Sequence, residues 1–160
     1  MKRILISLIC ILSILCIGCK KNKYKELTEI KETQIFSMEE EKYLIFVHKD
    51  NCSGCQSCIS DVMAYNYRVE NSKYKSKKTR IYGLNVSVEG EESSLLYRKY
   101  KGNDGQGENG EFFVDGCTKW GELYFGATPA LILVSEKDGV KTSIFVTQGA
   151  SNISDFLGKY

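Results

Sequence analysis

Tyr43-Leu-Ile-Phe-Val-His-Lys-Asp-Asn-Cys-Ser-Gly-Cys55 is the stretch on which the reading of the fold turns. Its first part, residues 43–48, is an apolar run with β-branched and aromatic members, the pattern of a buried strand. Lys49-Asp50-Asn51 follows as a polar turn able to cap a helix. From Cys55 onward, apolar groups fall at Cys55, Cys58, Ile59, Val62, Met63 and Val69, which marks one buried helix face. Cys52 and Cys55 therefore stand at a strand-to-helix junction. There, helix amides and the helix dipole stabilise a thiolate, and two thiols three positions apart can close and reopen a disulfide ring. This spacing points to a dithiol redox centre.

The N-terminal end points to a compartment. Lys2 and Arg3 precede an apolar region over residues 4–17, too short for a comfortable membrane span. Gly18-Cys19 and the basic residues after it resemble the processing site of bacterial lipoproteins, although Cys16 departs from the usual pattern there. The resemblance implies a signal peptide over residues 1–18. A lipidated Cys19 and a tether would follow over 19–25, then one domain over 26–160. The expected location is the extracytoplasmic face of a bacterial membrane, held to the bilayer by the lipid on Cys19. An uncleaved anchor or an ordinary signal peptide would give the same side of the membrane.

Composition narrows the function classes. The chain of 160 residues carries a net charge of +2. Lys2 and Arg3 leave with the signal, so the rest is about neutral and nothing suggests nucleic acid as a partner. Internal repeats and extended low-complexity segments are not evident.

Beyond the first helix, residues 81–88 read as a second core strand. Residues 91–100 read as a short helix, and the glycine-rich residues 101–111 as a loop. Residues 130–135 read as a strand after Thr128-Pro129. Lys137-Asp138-Gly139 is a hairpin turn, and residues 142–147 form the returning strand. A last helix presents Ile153, Phe156, Leu157 and Tyr160 on one face. Residues 26–41 fit a first strand and a short helix. The basic stretch from Lys73 to Arg80 reads as a solvated helix end or a contact with anionic lipid. Trp120 and Phe112-Phe113 fit either packing of an insertion or a substrate groove.

In this order the chain resembles the thioredoxin-fold family over residues 40–160. A strand precedes C-x-x-C, a long helix starts inside it, Thr-Pro precedes an apolar strand, and a hairpin leads through a glycine to a C-terminal helix. The resemblance implies an α/β fold, thioredoxin-like, with a central mixed β-sheet flanked by helices and an inserted segment, about 101–124, before the Thr-Pro strand. It also implies that Pro129, the single proline, is cis and lies against the dithiol. Thr128 and Pro129 would then bind an extended substrate peptide. By the same resemblance Cys52 attacks a substrate disulfide and Cys55 resolves the mixed disulfide. One departure is Phe46, six residues before Cys52, where thioredoxins carry a buried acid. Others are Ser53-Gly54 between the thiols and Asn51 before them.

Seven cysteines are present. With Cys52 and Cys55 paired, Cys58 and Cys117 are left as a possible second disulfide. They could equally be an auxiliary redox pair exchanging with Cys55, two free buried thiols, or part of a four-thiolate metal site. His48, the single histidine, reads as a polar strand-end residue rather than a ligand. Neither a metal nor a cofactor is required by this reading.

The expected function is a membrane-tethered thiol–disulfide oxidoreductase acting on the thiols or disulfides of exported proteins, with a membrane redox partner. It resembles extracytoplasmic thioredoxin-like lipoproteins, including bacteriocin-accessory types. The alternative is a non-catalytic accessory or binding lipoprotein in which Cys52–Cys55 is a structural disulfide.

Overall fold

In the computed structural model, residues 27–71, 79–87 and 114–159 are described. The expected signal, Cys19, the tether, the helix over 91–100, the loop over 101–111 and Phe112-Phe113 lie outside these residues.

The apolar run forms strand β1, Lys42–His48, and helix α1 spans Ser53–Glu70. Strand β2 follows at Arg80–Asn85, β3 at Ala130–Lys137, β4 at Val140–Gln148, and helix α2 at Ala150–Gly158. Together they make an α/β fold around a four-stranded mixed sheet in the order β2-β1-β3-β4. Strand β1 runs parallel to β2, with Phe46 opposite Gly83, and antiparallel to β3, with Phe46 opposite Leu131. Strands β3 and β4 are antiparallel. They join at Asp138 and Gly139, both with positive φ (54° and 77°), as a two-residue mirror-image turn requires.

Every residue of β1 from Tyr43 to His48 is buried because both sheet faces are covered. On one face, Leu44, Phe46, Ile81 and Leu131 pack against Cys55, Cys58, Ile59 and Val62 of α1 and against Ile153 and Leu157 of α2. On the other face, Tyr43, Ile45, Val47, Tyr82 and Ile132 meet Ile35, Val114, Cys117, Leu123 and Phe125. Each fully buried Leu, Ile or Phe contributes about 1.5–3 kcal/mol, so the two-sided packing of β1 fixes the strand from which Cys52 is presented. The C-terminal helix buries Ile153 and Leu157, as its pattern predicts, with Phe156 partly buried against the same cluster.

Residues 27–30 extend the sheet beyond β2. Glu29 makes a parallel bridge with Gly83: Ile30 N donates to Gly83 O at 2.8 Å and Gly83 N donates to Thr28 O at 2.9 Å. A single 3-10 turn, Glu32–Gln34, follows. At the opposite edge, residues 114–117 lie along β4. Gly116 N donates to Ser143 O at 2.8 Å, and Ser143 N donates to Cys117 O at 3.0 Å. The Ser143 hydroxyl donates to Val114 O at 2.6 Å. These bonds satisfy backbone groups that an open edge strand would leave exposed.

Candidate dithiol site

Cys52 is the N-cap of α1, with extended backbone (φ −95°, ψ 108°), and its sulfur accepts a hydrogen bond from Cys55 N at 3.1 Å. Gln56 N donates to Cys52 O at 3.0 Å, closing the first helical turn. The two cysteines are joined as a disulfide, with Cα atoms 5.2 Å apart. The Cys52 sulfur thus stands at the N-terminal end of the helix, where negative charge is favoured. Cys55 is one turn further in. Cys52 retains 7% exposure and Cys55 none, so an incoming group has access to Cys52 alone.

The loop before Cys52 is held from β2. Asn85 Nδ2 donates to Asp50 Oδ1 at 3.0 Å, Asp50 N donates to Ser87 Oγ at 2.5 Å, and Val86 N donates to His48 O at 2.8 Å. Asn51 turns the chain into the helix with φ 54°, a left-handed conformation that asparagine tolerates better than most residues.

Thr128 and Pro129 stand against this tip. The Thr128–Pro129 bond is cis. The Cys52 sulfur lies 3.6 Å from Thr128 Oγ1 and 3.8 Å from Thr128 O. Gly54 faces the Pro129 ring so closely that an added Cβ would sit 3.0 Å from Pro129 Cδ. Pro129 O accepts from Gly149 N at 2.9 Å, which ties the proline segment to the start of α2. The four residues Cys52, Cys55, Thr128 and Pro129 are therefore brought together from two distant parts of the chain.

The second disulfide is not formed. Cys58 and Cys117 are both free thiols, and they are buried on opposite faces of the sheet. The reason is the path of the segment carrying Cys117: it runs along the outer edge of β4 and turns its side chains into the core away from α1. Ser143 pins this segment, where a bridge to the helix was one of the expectations. The same separation prevents the four cysteines from forming one thiolate cage. Burial pushes both thiols up, Cys58 to about 11 and Cys117 to about 11, so neither is poised as a nucleophile. The Cys58 sulfur instead donates to Cys55 O at 3.6 Å. Trp120 packs partly buried against the core on the Cys117 side.

A polar pair near the loop escaped the sequence reading. His48 is only 2% exposed, and its Nε2 is 2.9 Å from Glu29 Oε1. The ring stacks on Phe46 with centroids 5.4 Å apart. Glu29 reaches the histidine across Gly83, where any Cβ would overlap its carboxylate. A glycine inside a strand pattern signals such a close approach, and Gly83 was the available clue.

Comparisons with protein-family models, with curated proteins and with solved structures give no match. Among the described residues, no helix is long and apolar enough to cross a membrane.

Proposed function

We propose that this chain is a thiol–disulfide oxidoreductase on a thioredoxin-like scaffold, tethered to the outside of a bacterial membrane and acting on exported proteins. The observation that carries the reading is the asymmetric disulfide at a helix tip, with its outer sulfur beside the Thr128 main chain. The element order and the approach of Thr128 and Pro129 to the helix tip support the scaffold. The lipoprotein-like Gly18-Cys19 supports the tether.

The chemistry follows from the two environments. In the reduced protein Cys52 ionises at the helix N-terminus, and its thiolate attacks one sulfur of a substrate disulfide. A mixed disulfide forms and the other substrate sulfur leaves with the electron pair. Cys55 then attacks the Cys52 sulfur, restoring the internal disulfide and releasing the reduced substrate. Run backward, the same steps deliver a disulfide to a substrate dithiol. Thr128 O, 3.8 Å from the Cys52 sulfur, would accept a hydrogen bond from an extended substrate strand while the sulfurs react. A main-chain acceptor beside the attacked disulfide would orient it for in-line displacement.

The test is a pair of substitutions read on a disulfide-bonded polypeptide such as insulin. Cys52→Ser abolishes reduction, whereas Cys55→Ser accumulates a covalent mixed disulfide through Cys52. Full turnover by Cys55→Ser contradicts the assigned roles.

The slight exposure of Cys52 favours a second reading, an accessory or binding protein whose Cys52–Cys55 bridge is purely structural. The two readings differ in the stability of that bridge toward reduction.

A further inference from the structure

We infer that Asn85, Asp50 and Ser87 form a clasp that positions Cys52 for attack, an inference that rests on the oxidoreductase reading. The three residues close a ring of hydrogen bonds. Asp50 N donates to Ser87 Oγ at 2.5 Å, Ser87 N donates to Asn85 Oδ1 at 2.9 Å, and Asn85 Nδ2 donates to Asp50 Oδ1 at 3.0 Å. Both polar atoms of the Asn85 carboxamide are used, each in the sense its neighbour requires. A reversed amide would set its NH2 against the Ser87 amide and its oxygen against the Asp50 carboxylate. Asn85 ends β2 and is paired in register with His48, the last residue of β1. The ring therefore reaches from the sheet to the loop two residues before Cys52.

The ring adds little to the stability of the fold. Asn85 and Asp50 are exposed and Ser87 is half-buried, so water replaces these bonds at small cost. Its effect falls on the chain geometry at the dithiol. Asn51, between Asp50 and Cys52, is held at φ 54°, and backbone of that kind persists where its surroundings over-determine it. The bond from Val86 N to His48 O fixes the loop at its start, and the ring fixes it at Asp50. Beyond Asn51, Cys52 caps α1 with its sulfur 3.1 Å from Cys55 N and 3.6 Å from Thr128 Oγ1. A turn at Asn51 that relaxes toward extended backbone would swing Cys52 away from both.

The three members are positioning residues: they act through the backbone of Asn51 and not by contact with substrate. The step they serve is the first attack. The Cys52 thiolate bonds to one sulfur of a disulfide, the bond between the two sulfurs of that disulfide breaks, and the other sulfur leaves with the electron pair. The disulfide is the oxidant. A displacement of about 1 Å in a reacting group costs on the order of 100-fold in rate, so a loop held at one point fewer is read directly in the speed of this step.

The experiment uses the full-length chain carrying Cys55→Ser, which isolates the first attack. The rate at which its Cys52 forms a mixed disulfide with oxidised glutathione is read by mass and set beside the urea midpoint. Ser87→Ala and Asn85→Ala, which change no charge, slow this rate about three- to tenfold, the worth of one hydrogen bond, and leave the urea midpoint nearly unmoved. Ser87→Thr keeps the acceptor oxygen and the rate. Asn85→Asp combined with Asp50→Asn keeps the net charge, reverses the bond between the two side chains, and attacks at nearly the rate of the unsubstituted pair. Unchanged attack in both alanine variants, with or without a lowered urea midpoint, overturns the inference. So does a reversed pair as slow as Asn85→Ala, since the ring is then not what sets the rate. If the chain with both cysteines turns over no substrate disulfide, the oxidoreductase reading fails. Alkylation of reduced Cys52 by iodoacetamide, which needs no redox activity, still decides the clasp through the same variants.

Discussion

Gly54 and Pro129 are in direct contact across the dithiol tip: a Cβ built on Gly54 would lie 3.0 Å from Pro129 Cδ. The glycine between the two cysteines is thus the residue that lets the Thr128 segment approach the sulfurs. Alanine there gains about 0.5–1 kcal/mol of helix stability from the backbone, but it must push the proline ring away. Since that ring is fixed by the chain on both sides, the contact yields by moving Thr128 off Cys52. Gly54→Ala should therefore leave unfolding in urea within about 1 kcal/mol of the unsubstituted protein while slowing disulfide exchange several-fold. Equal exchange rates would show that the close approach has no chemical consequence.

Gly83 gives a second steric prediction. A methyl group at this position overlaps the Glu29 carboxylate, the far end of a flexible side chain. The clash is relieved by swinging Glu29 toward solvent, which breaks its 2.9 Å bond to buried His48. Losing such a partner costs about 1–3 kcal/mol. Gly83→Ala should lose that amount in chemical denaturation. In a Glu29→Ala background the same substitution should cost clearly less, because the pair is already broken. Additive effects would contradict this account of the glycine.

The fold was legible in the sequence wherever one strand had to satisfy two faces. The continuous apolar run of β1, the helical spacing after Cys55, the Lys137-Asp138-Gly139 turn and the apolar face of α2 all carry their structure locally. What was not legible depends on long-range paths. Cys58 and Cys117 look like partners by count, yet the sheet lies between them. Nothing local to either cysteine reveals which face residues 114–117 take. The bond from Glu29 to His48 was hidden for the same reason, since it forms only when residues 28–30 pair with Gly83. Thr128 and Pro129 were identifiable as neighbours of Cys52 through family resemblance, and their proximity is a property of the packed sheet.

The free thiols fix the response to alkali. Burial raises Cys58 and Cys117 from an ordinary 9.0 to about 11, and it raises Tyr43 from 10.0 to about 12. A group that is harder to ionise when folded stabilises the fold fully below its unfolded value. That contribution disappears as pH rises through the folded value. The contribution of these groups should be constant up to about pH 8 and fall between about pH 9 and 12, with Cys58→Ala flattening part of the decline. Urea midpoints across this range provide the check, and an unchanged midpoint at pH 11 would contradict it.

The acid side turns on Glu40. Burial pushes its carboxyl up, but hydrogen bonds from Tyr82 and Arg80 outweigh this and hold it below its ordinary 4.5. The sign is opposite to that of the thiols. The stabilisation is present above the unfolded value and is lost as pH falls through the folded one. Glu40→Gln should make the urea midpoint less sensitive to acid below pH 4.5, and an identical acid decline in both proteins would count against the network.

The proposed oxidoreductase function requires that the Cys52–Cys55 bond opens and closes in use. Its reduction potential, measured by equilibrating the full-length protein with glutathione buffers and counting free thiols by mass, tests this most directly. A redox-active bond should give a value above about −300 mV, within reach of a cellular redox partner. A value well below that, with Cys52 unreactive toward added disulfides after reduction, would mark the bridge as structural and rule out a redox role.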